Sequence, residues 1–319
     1  MHITIVAPVD EKLNTGNRMT ARRWAKMLKT LGHKAKIANR FSAETQPIPE
    51  VLIALHARRS AASIREFRQQ FPDRPIVLAM TGTDLYRDIK TSAAARESLE
   101  IADRLVLLQR HGQNELPKRL HAKCRVIFQS ATPTTIPKPI RRYFEVCVVG
   151  NLRPVKDPFR AAIASRKLPE TSKIRIIHLG AALKPKMQQQ AKAEMSKNPR
   201  YKWLGSLPHG KAMQRLARSR CMVLSSKLEG GAHVVTEAAV AGVPVLASRI
   251  SGSIGLLGEN HPGYFEVGNT AELTELLMRV ETDAKFYAAL KKSSNTAKKL
   301  FLPAREQKSL DELLGGLGL

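Results

Sequence analysis

The segment EGGAHVVTEAAVAGVPVLAS, residues 229–248, decides the reading of this chain. It follows the short apolar run CMVLSS (221–226), and its paired glycines, Gly230 and Gly231, permit close backbone approach at a strand-to-helix turn. An apolar helix then leads into GVPVLAS, which returns to strand. Strand, glycine turn, helix and strand make one βαβ unit, and βαβ units build parallel sheets. Glu229 and Glu237 stand eight residues apart, close to two helical turns, so both carboxylates lie roughly on one side, with Glu229 just ahead of the helix. Carboxylate oxygens accept hydrogen bonds from vicinal hydroxyls, so the pair suits a polyhydroxylated ligand. The plainer alternative is one solvated glutamate at a helix start and one unrelated surface glutamate.

The same alternation runs outward in both directions. Toward the amino terminus, strands are expected over 3–7, 35–38, 51–56, 76–80, 105–108 and 126–129. A helix over 20–31 places Trp24, Met27, Leu28 and Leu31 at helical spacing, with Gly32 as its stop. The stretch TPTTIPKPIRR (132–142) has three prolines and no periodicity, and reads as a linker. A second series follows, with strands over 144–149, 174–179, 201–204, 222–224 and 245–247, and helices over 158–166, 184–196, 211–218 and 233–240. The tail is helical by period over 271–299 and 309–314, with Pro303 marking a break. The expected domains are 1–135 and 143–302, with a C-terminal helical segment 303–319 able to pack back on the first domain. In open α/β sheets ligands bind beyond the carboxyl ends of strands, so the chemistry belongs in the loops after strands and in a cleft between the two domains.

A length of 319 residues accommodates two such domains, and 43% hydrophobic with 25% charged residues is ordinary globular composition. The 53 lysines and arginines exceed the 27 acidic residues by 26, so the chain attracts anions. Residues 1–150 hold 26 basic and 13 acidic residues, so no charged tail accounts for the surplus. Residues 151–228 hold 18 basic and 3 acidic residues, which puts a basic excess just ahead of the glutamate segment. Cys124, Cys147 and Cys221 are far apart and form no CxxC, which excludes a disulfide framework and a zinc knuckle and fits a reducing cytoplasm. The amino-terminal run HITIVAP meets charged residues at once and reads as a strand rather than a signal peptide. No apolar run reaches the ~18–20 residues a membrane span needs, so membrane contact would be peripheral.

Several loops after strands carry candidate ligand groups. VVGNLRPVKDP (148–158) sets Gly150, Arg153 and Lys156 where a strand gives way to a helix, an arrangement suited to an anion; the plainer reading of Lys156 is a solvated lysine. His233 lies inside the glutamate segment and either touches ligand or is structural. In the first half, TGNRMTARRW (15–24) offers Gly16 and Asn17 as a flexible turn and Arg18 at a helix start, where a cation opposes the macrodipole unless an anion compensates it. LHARRS (55–60) sets His56, Arg58 and Arg59 past a strand end, with Ser60 as an N-cap. TGTDLYRD (81–88), with Thr83 and Asp84, and QSA (129–131) complete the polar set. Each has a bland reading as a turn or cap. There is no Asp-x-Asp and no His/Asp cluster with metal spacing, so no metal and no cofactor are expected.

The carboxyl-terminal half resembles GT-B glycosyltransferases of the large nucleotide-sugar group with a Glu-x7-Glu motif. Besides residues 229–237, the loop from Val148 resembles the family's Gly-Arg-x4-Lys diphosphate loop, and WLGSLPHGKAMQRLARSRCMVLSS from Trp203 resembles its strand, nucleotide-base loop and helix. The resemblance implies two Rossmann-like domains facing a cleft and leaving-group stabilisation without a metal. It also implies that Glu237 holds the donor ribose, Glu229 the donor sugar hydroxyls and Lys156 the diphosphate. Asn151 stands where the family usually has arginine, and Arg153 is the nearest substitute.

Over nearly the whole chain, GNRMTARRWAKMLKTLGH, LIALHARRSAASI, LAMTGTDLYRDI, SLEIADRLVLLQ, VIFQSA and GNLRPVKDPFRAA resemble the selenosugar synthases of selenoneine biosynthesis. That resemblance implies transfer of a sugar from UDP-N-acetylglucosamine or UDP-glucose to selenophosphate, forming a carbon–selenium bond, with loss of phosphate afterwards to leave a selenosugar. Selenophosphate is small and already ionised, so it needs cations to bind and no base to activate it; Arg18, Arg58 and Arg59 supply cations. His56 and Asp84 are the candidates for any base, or for an acid in Se–P cleavage. The competing readings are a GT-B glycosyltransferase with a sugar or lipid hydroxyl acceptor and, more distantly, a basic nucleic-acid-binding protein. The last is disfavoured by 5% aromatic content and the lack of any nucleic-acid motif.

Overall fold

VLIAL and IVLAM are unbroken apolar runs of β-rich residues, a pattern that stays dry only where a sheet is covered on both faces. In the computed structural model, which describes residues 1–8, 16–42, 44, 47–132 and 142–318, these runs are adjacent central strands with every residue buried. The chain divides into two compact units, Met1–Gln129 with Pro303–Leu319, and Ser130–Leu302.

The first unit is a six-stranded parallel sheet formed by β1 (His2–Val6), β2 (Lys34–Ala38), β3 (Val51–Leu55), β4 (Ile76–Met80), β5 (Arg104–Leu107) and β6 (Cys124–Val126), in the order β2-β1-β3-β4-β5-β6. One face packs Ile3, Ile5, Ile53 and Leu55 on Trp24 and Leu28 of the helix Gly16–Thr30, together with Leu310, Leu313 and Leu314 of the helix Pro303–Gly315. The other packs Leu52, Leu78 and Leu105 on Ile64 and Phe67 of the helix Ala61–Gln70 and Leu99 of the helix Ala93–Ile101. Beyond that packing, buried Glu306 accepts hydrogen bonds from the Trp24 indole (2.7 Å) and the Arg23 guanidinium (2.8 and 3.1 Å), which pins the last helix to the first.

The second unit repeats the plan with β7 (Phe144–Val149), β8 (Ile174–Leu179), β9 (Tyr201–Trp203), β10 (Cys221–Leu224), β11 (Val245–Ser248) and β12 (Tyr264–Phe265), all parallel, in the order β12-β11-β10-β7-β8-β9. The strand order therefore reverses between β1 and β3 in one unit and between β7 and β10 in the other. Loops leaving those strands diverge to opposite faces and open a crevice at the carboxyl edge of each sheet.

The structure departs from the sequence expectations at definite places. The sixth strand occupies Cys124–Val126 rather than 126–129, because Gln129 turns its side chain inward to accept from Thr20 Oγ1 (3.2 Å) and Arg23 Nη2 (3.0 Å). The expected helix over 271–299 is two helices, Thr270–Thr282 and Ala284–Lys298, since the Asp283 carboxylate caps the second by accepting from Phe286 N. The first domain ends at Gln129, not 135: Ser130 O accepts from His233, and Ala131 N donates to Phe301 O, which ties both residues to the second unit. Residues 133–141 of the expected linker lie outside the described residues.

Candidate active site

At the crevice of the second unit, Gly150 follows β7. Its N–H donates to Leu179 O, and its carbonyl accepts from Nε2 of the buried His178, 3.0 Å away. The other ring nitrogen of His178 accepts from the Tyr201 hydroxyl at 3.0 Å, so the neutral tautomer satisfies both contacts. Burial lowers the His178 pKa to about 4 against the raising effect of the Gly150 bond, so this tautomer holds at neutral pH. Gly180 passes so close that a Cβ there would lie 2.0 Å from Gly150 O. Asn151, where the family usually has arginine, accepts from Ala181 N (2.9 Å) and locks the loop to the one after β8. The charge left to this loop is that of exposed Arg153 and half-buried Lys156.

Lys156 faces the loop after β10, and its ammonium contacts Oε1 of Glu229. Ser226 Oγ donates to the same oxygen at 2.6 Å. Ser225 Oγ donates to the carbonyls of Lys156 and Asp157, and Lys227 N donates to Val155 O, so the loops after β7 and β10 form one body. Asp157 holds a left-handed φ of 42° at the turn into the next helix, its carboxylate fixed by Arg160 Nε at 2.8 Å. Gly230 is buried and Gly231 half-buried between Glu229 and the helix His233–Val240. Another glycine allows this: a Cβ on Gly252 would lie 2.1 Å from Glu229 O.

Glu237 lies buried on that helix. Its Oε1 accepts from His209 Nε2 at 2.7 Å and stands 3.3 Å from His233 Nδ1. Burial alone would raise the carboxyl pKa, but the hydrogen bonds from His209 and His233 outweigh it and hold the value at about 2. The same bond raises His209. His233 Nε2 also lies 2.9 Å from Ser130 O, so the ring is held between that carbonyl and Glu237. The result is a permanently ionised carboxylate at the crevice with one oxygen anchored, suited to accept hydroxyl donors on the other.

In the first unit the crevice lies beside the ends of β1 and β3. His56 ends β3 in a left-handed backbone conformation, φ 80°, which is uncommon outside glycine and is retained where surrounding contacts enforce it. Its buried ring sits 3.4 Å from Thr83 Oγ1 and 3.7 Å from Asp88 Oδ2; burial lowers its pKa in spite of nearby Asp84. Asp84 is fully buried and its oxygens accept from the N–H groups of Ala57 (3.1 Å), Thr81 (3.1 and 3.2 Å) and Gly82 (2.7 Å). Its carboxylate clips the turn after β3 to the turn after β4, a structural task that leaves no lone proton-accepting face toward solvent. Arg58 and Arg59 extend from the first of these turns, and Arg58 Nε pairs with Asp88 Oδ2 at 3.1 Å.

Three local expectations are corrected. Gly16 and Asn17 do not form a free turn but begin the helix Gly16–Thr30, where Gly16 O accepts from Thr20 Oγ1 at 3.0 Å, and Arg18 lies in its first turn as expected; Thr15 lies outside the described residues. Ser60 stands at the N-cap position, yet its hydroxyl donates to Leu55 O (2.9 Å) instead of capping. Gln129 of the QSA segment is spent on Thr20 and Arg23. Residues overlooked in the sequence are His178, Gly180, His209, Ser226, Gly252, Arg87 and Asp88. For His209 alone a signal existed, its place at a helix start directly after Pro208.

The sequence model of the family described as glycosyl transferases group 1 matches residues 136–297, just over half of the chain. The chain belongs to that family. Among solved structures, HepE of Anabaena in complex with UDP and glucose is similar at TM-score 0.76 and 15% identity, covering 99% of this chain and 100% of that one. Sucrose-phosphate synthase of Thermosynechococcus elongatus is similar at TM-score 0.78 and 14% identity, covering 99% and 98%. An E. coli structure described as trehalose-6-phosphate bound with UDP-2-fluoro glucose is similar at TM-score 0.76 and 12% identity, covering 99% of each chain. At these identities the likeness establishes the fold, two Rossmann-like parallel-sheet domains of the GT-B kind. Within this glycosyltransferase, no helix among the described residues is long and apolar enough to cross a membrane, and no three His, Cys, Asp or Glu side chains there are grouped to hold a metal ion.

Proposed function

We propose that this glycosyltransferase moves a sugar from a UDP-sugar, UDP-N-acetylglucosamine or UDP-glucose, to selenophosphate in the cytoplasm. The observation that carries the donor half is Glu237, buried yet held ionised by two histidines, beside the Lys156–Glu229 pair at the strand-order reversal of the second unit. HepE, similar in fold, was solved with UDP and glucose. In this reading Glu237 accepts from the ribose hydroxyls and Glu229 from the sugar. Lys156, Arg153 and the Gly150 loop take up the negative charge that grows on the diphosphate as it leaves.

The acceptor half draws on the resemblance of the first unit to selenosugar synthases and on its own chemistry. Selenium attacks the anomeric carbon, the selenium–carbon bond forms as the carbon–oxygen bond to UDP breaks, and UDP departs with the bonding pair. Water then cleaves the Se–P bond, giving phosphate and a selenosugar. An anionic nucleophile requires no proton removal, which fits a crevice where His56 is buried and Asp84 is bonded by backbone N–H groups. Arg18, Arg58, Arg59 and Thr83 are the groups we assign to the acceptor.

The test is UDP release from each UDP-sugar with selenophosphate, inorganic phosphate or simple sugars as the added acceptor. Stimulation by selenophosphate alone, with a selenium-containing sugar in the product, is the expected result. Stimulation by hydroxyl acceptors and none by selenophosphate would replace the acceptor assignment with an ordinary O-glycosyl transfer.

A further inference from the structure

The turn after β4 holds a carboxylate that the acceptor reading does not use. Asp88 is 1% exposed, at the end of a single π-helical turn, Asp84–Asp88, a rare form that recurs at functional sites. Its Oδ1 accepts from Arg87 Nε at 3.0 Å. Its Oδ2 lies 3.1 Å from Arg58 Nε and 3.7 Å from His56 Nε2 but makes no hydrogen bond with either, so this buried oxygen has a guanidinium beside it and no hydrogen bond. Two guanidiniums from different strand ends thus converge on the two oxygens of one carboxylate.

The exposures complete the picture. The Asp88 side chain is 2% exposed, whereas those of Arg58 and Arg87 are 49% and 59% exposed. Arg87 donates to the carboxylate through Nε, Arg58 Nε stands beside it as an ion pair, and the Nη groups of neither arginine make a hydrogen bond among the described residues. Arg59, also exposed, adds a third cation on the same turn. A buried carboxylate needs compensating charge, but here it is overcompensated. The excess sits on planar donor forks that match a tetrahedral oxyanion. Fixing two flexible arginines before a ligand arrives also lowers the ordering cost of binding.

We infer that Asp88 is a positioning residue that fixes Arg58 and Arg87 as a two-guanidinium clamp for a small tetrahedral oxyanion, the phosphoryl end of the acceptor. The identity of that ligand rests on the acceptor reading above; the clamp itself does not. Arg87 thereby joins the binding groups, and His56, held beneath Asp88 by its left-handed backbone, supports the carboxylate from below.

The experiment measures steady-state kinetics with selenophosphate and UDP-sugar varied in turn, and inorganic phosphate binding by calorimetry, for wild type, Arg87→Gln, Asp88→Asn and Arg65→Ala. Arg65 is an exposed arginine of the same unit paired with Glu97 and serves as the charge control. For Arg87→Gln we expect the selenophosphate KM and the phosphate Kd to rise together by tenfold or more, with the UDP-sugar KM within twofold. Asp88→Asn is expected to raise the same two constants, whereas a merely structural defect would lower kcat through loss of folded enzyme and leave KM alone. Unchanged constants in Arg87→Gln, which is half-exposed and should fold, overturn the clamp. An equal rise in Arg65→Ala does so too, as does failure of wild type to bind phosphate. Phosphate binding that depends on Arg87 and Asp88, in an enzyme that never uses selenophosphate, keeps the clamp and removes the acceptor reading.

Discussion

Glu237→Gln is the substitution that most directly probes the donor site, because it removes one charge at nearly constant shape. The histidine bonds hold the carboxyl at about 2 instead of 4.5, which corresponds to about 3 kcal/mol in favour of the ionised form in the folded protein. Because the folded value is depressed, this contribution is fully present above pH 4.5 and is lost as pH falls through about 2. His209 has the opposite sign. Its folded value is raised, so its contribution is present below 6.5 and fades as pH rises through that raised value. The pair therefore stabilises most between about 4.5 and 6.5. In the glutamine variant the acid-side slope below pH 4.5 and the His209 slope above 6.5 should both vanish from a comparison of unfolding free energies that extends from about pH 2 to 8, and stability near pH 6 should fall by about 1–3 kcal/mol. Charge-assisted hydrogen bonds contribute ~1.5–3 kcal/mol each, so loss of the ribose acceptor should weaken UDP binding by roughly 10- to 100-fold in calorimetry. A UDP Kd within twofold of wild type in a folded variant would refute the assignment of Glu237 to the nucleotide, whatever the stability data show.

Two further substitutions test the architecture around it. Gly180→Ala would drive a Cβ to 2.0 Å from Gly150 O, a backbone atom that cannot step aside, so denaturant unfolding should show a loss of ~1–3 kcal/mol or more; a loss under about 0.5 kcal/mol would mean the loops after β7 and β8 are not packed as described. Glu229→Gln releases Lys156 from its partner while removing a sugar acceptor, so UDP alone should bind as well or better and UDP-glucose should lose ~10-fold relative to UDP; equal weakening of both ligands would deny Glu229 a separate role toward the sugar.

Most of the framework was readable because parallel strands announce themselves. VLIAL and IVLAM are short runs of β-rich residues with no polar member, FEVCVV has one, Glu145, and the helices between such strands carry apolar residues at the right period. The candidate donor residues Gly150, Lys156, Glu229 and Glu237 stood out in the sequence because they lie in two short segments after strands, and the structure brings Lys156 and Glu229 into contact. What escaped notice depends on side chains meeting across long separations. His209 and Glu237 are 28 residues apart, and Lys156 and Glu229 are 73 apart, so no local pattern shows that each charge already has a partner. Gly180 and Gly252 were passed over because their need for a missing Cβ comes from backbone atoms of distant loops. The amino-terminal crevice misled in the other direction. Gly16 and Asn17 have turn composition, yet the helix absorbs them because Thr20 closes its first turn onto Gly16 O.

The two crevices solve different electrostatic problems with the same sheet plan. In the second unit each carboxylate has a basic side chain in contact: Lys156 on Glu229, and His209 and His233 on Glu237. In the first unit the carboxylates are the buried partners and the cations the exposed ones. Asp84 is bonded by backbone N–H groups, and Asp88 is flanked by Arg58 and Arg87, whose guanidiniums are the exposed partners. One unit presents acceptors backed by cations and the other presents cations backed by acceptors. Around buried His56 and Asp84, the side chains exposed on the turns after β3 and β4 include Arg58, Arg59 and Arg87, the kind of surface that the anionic acceptor proposed above would require.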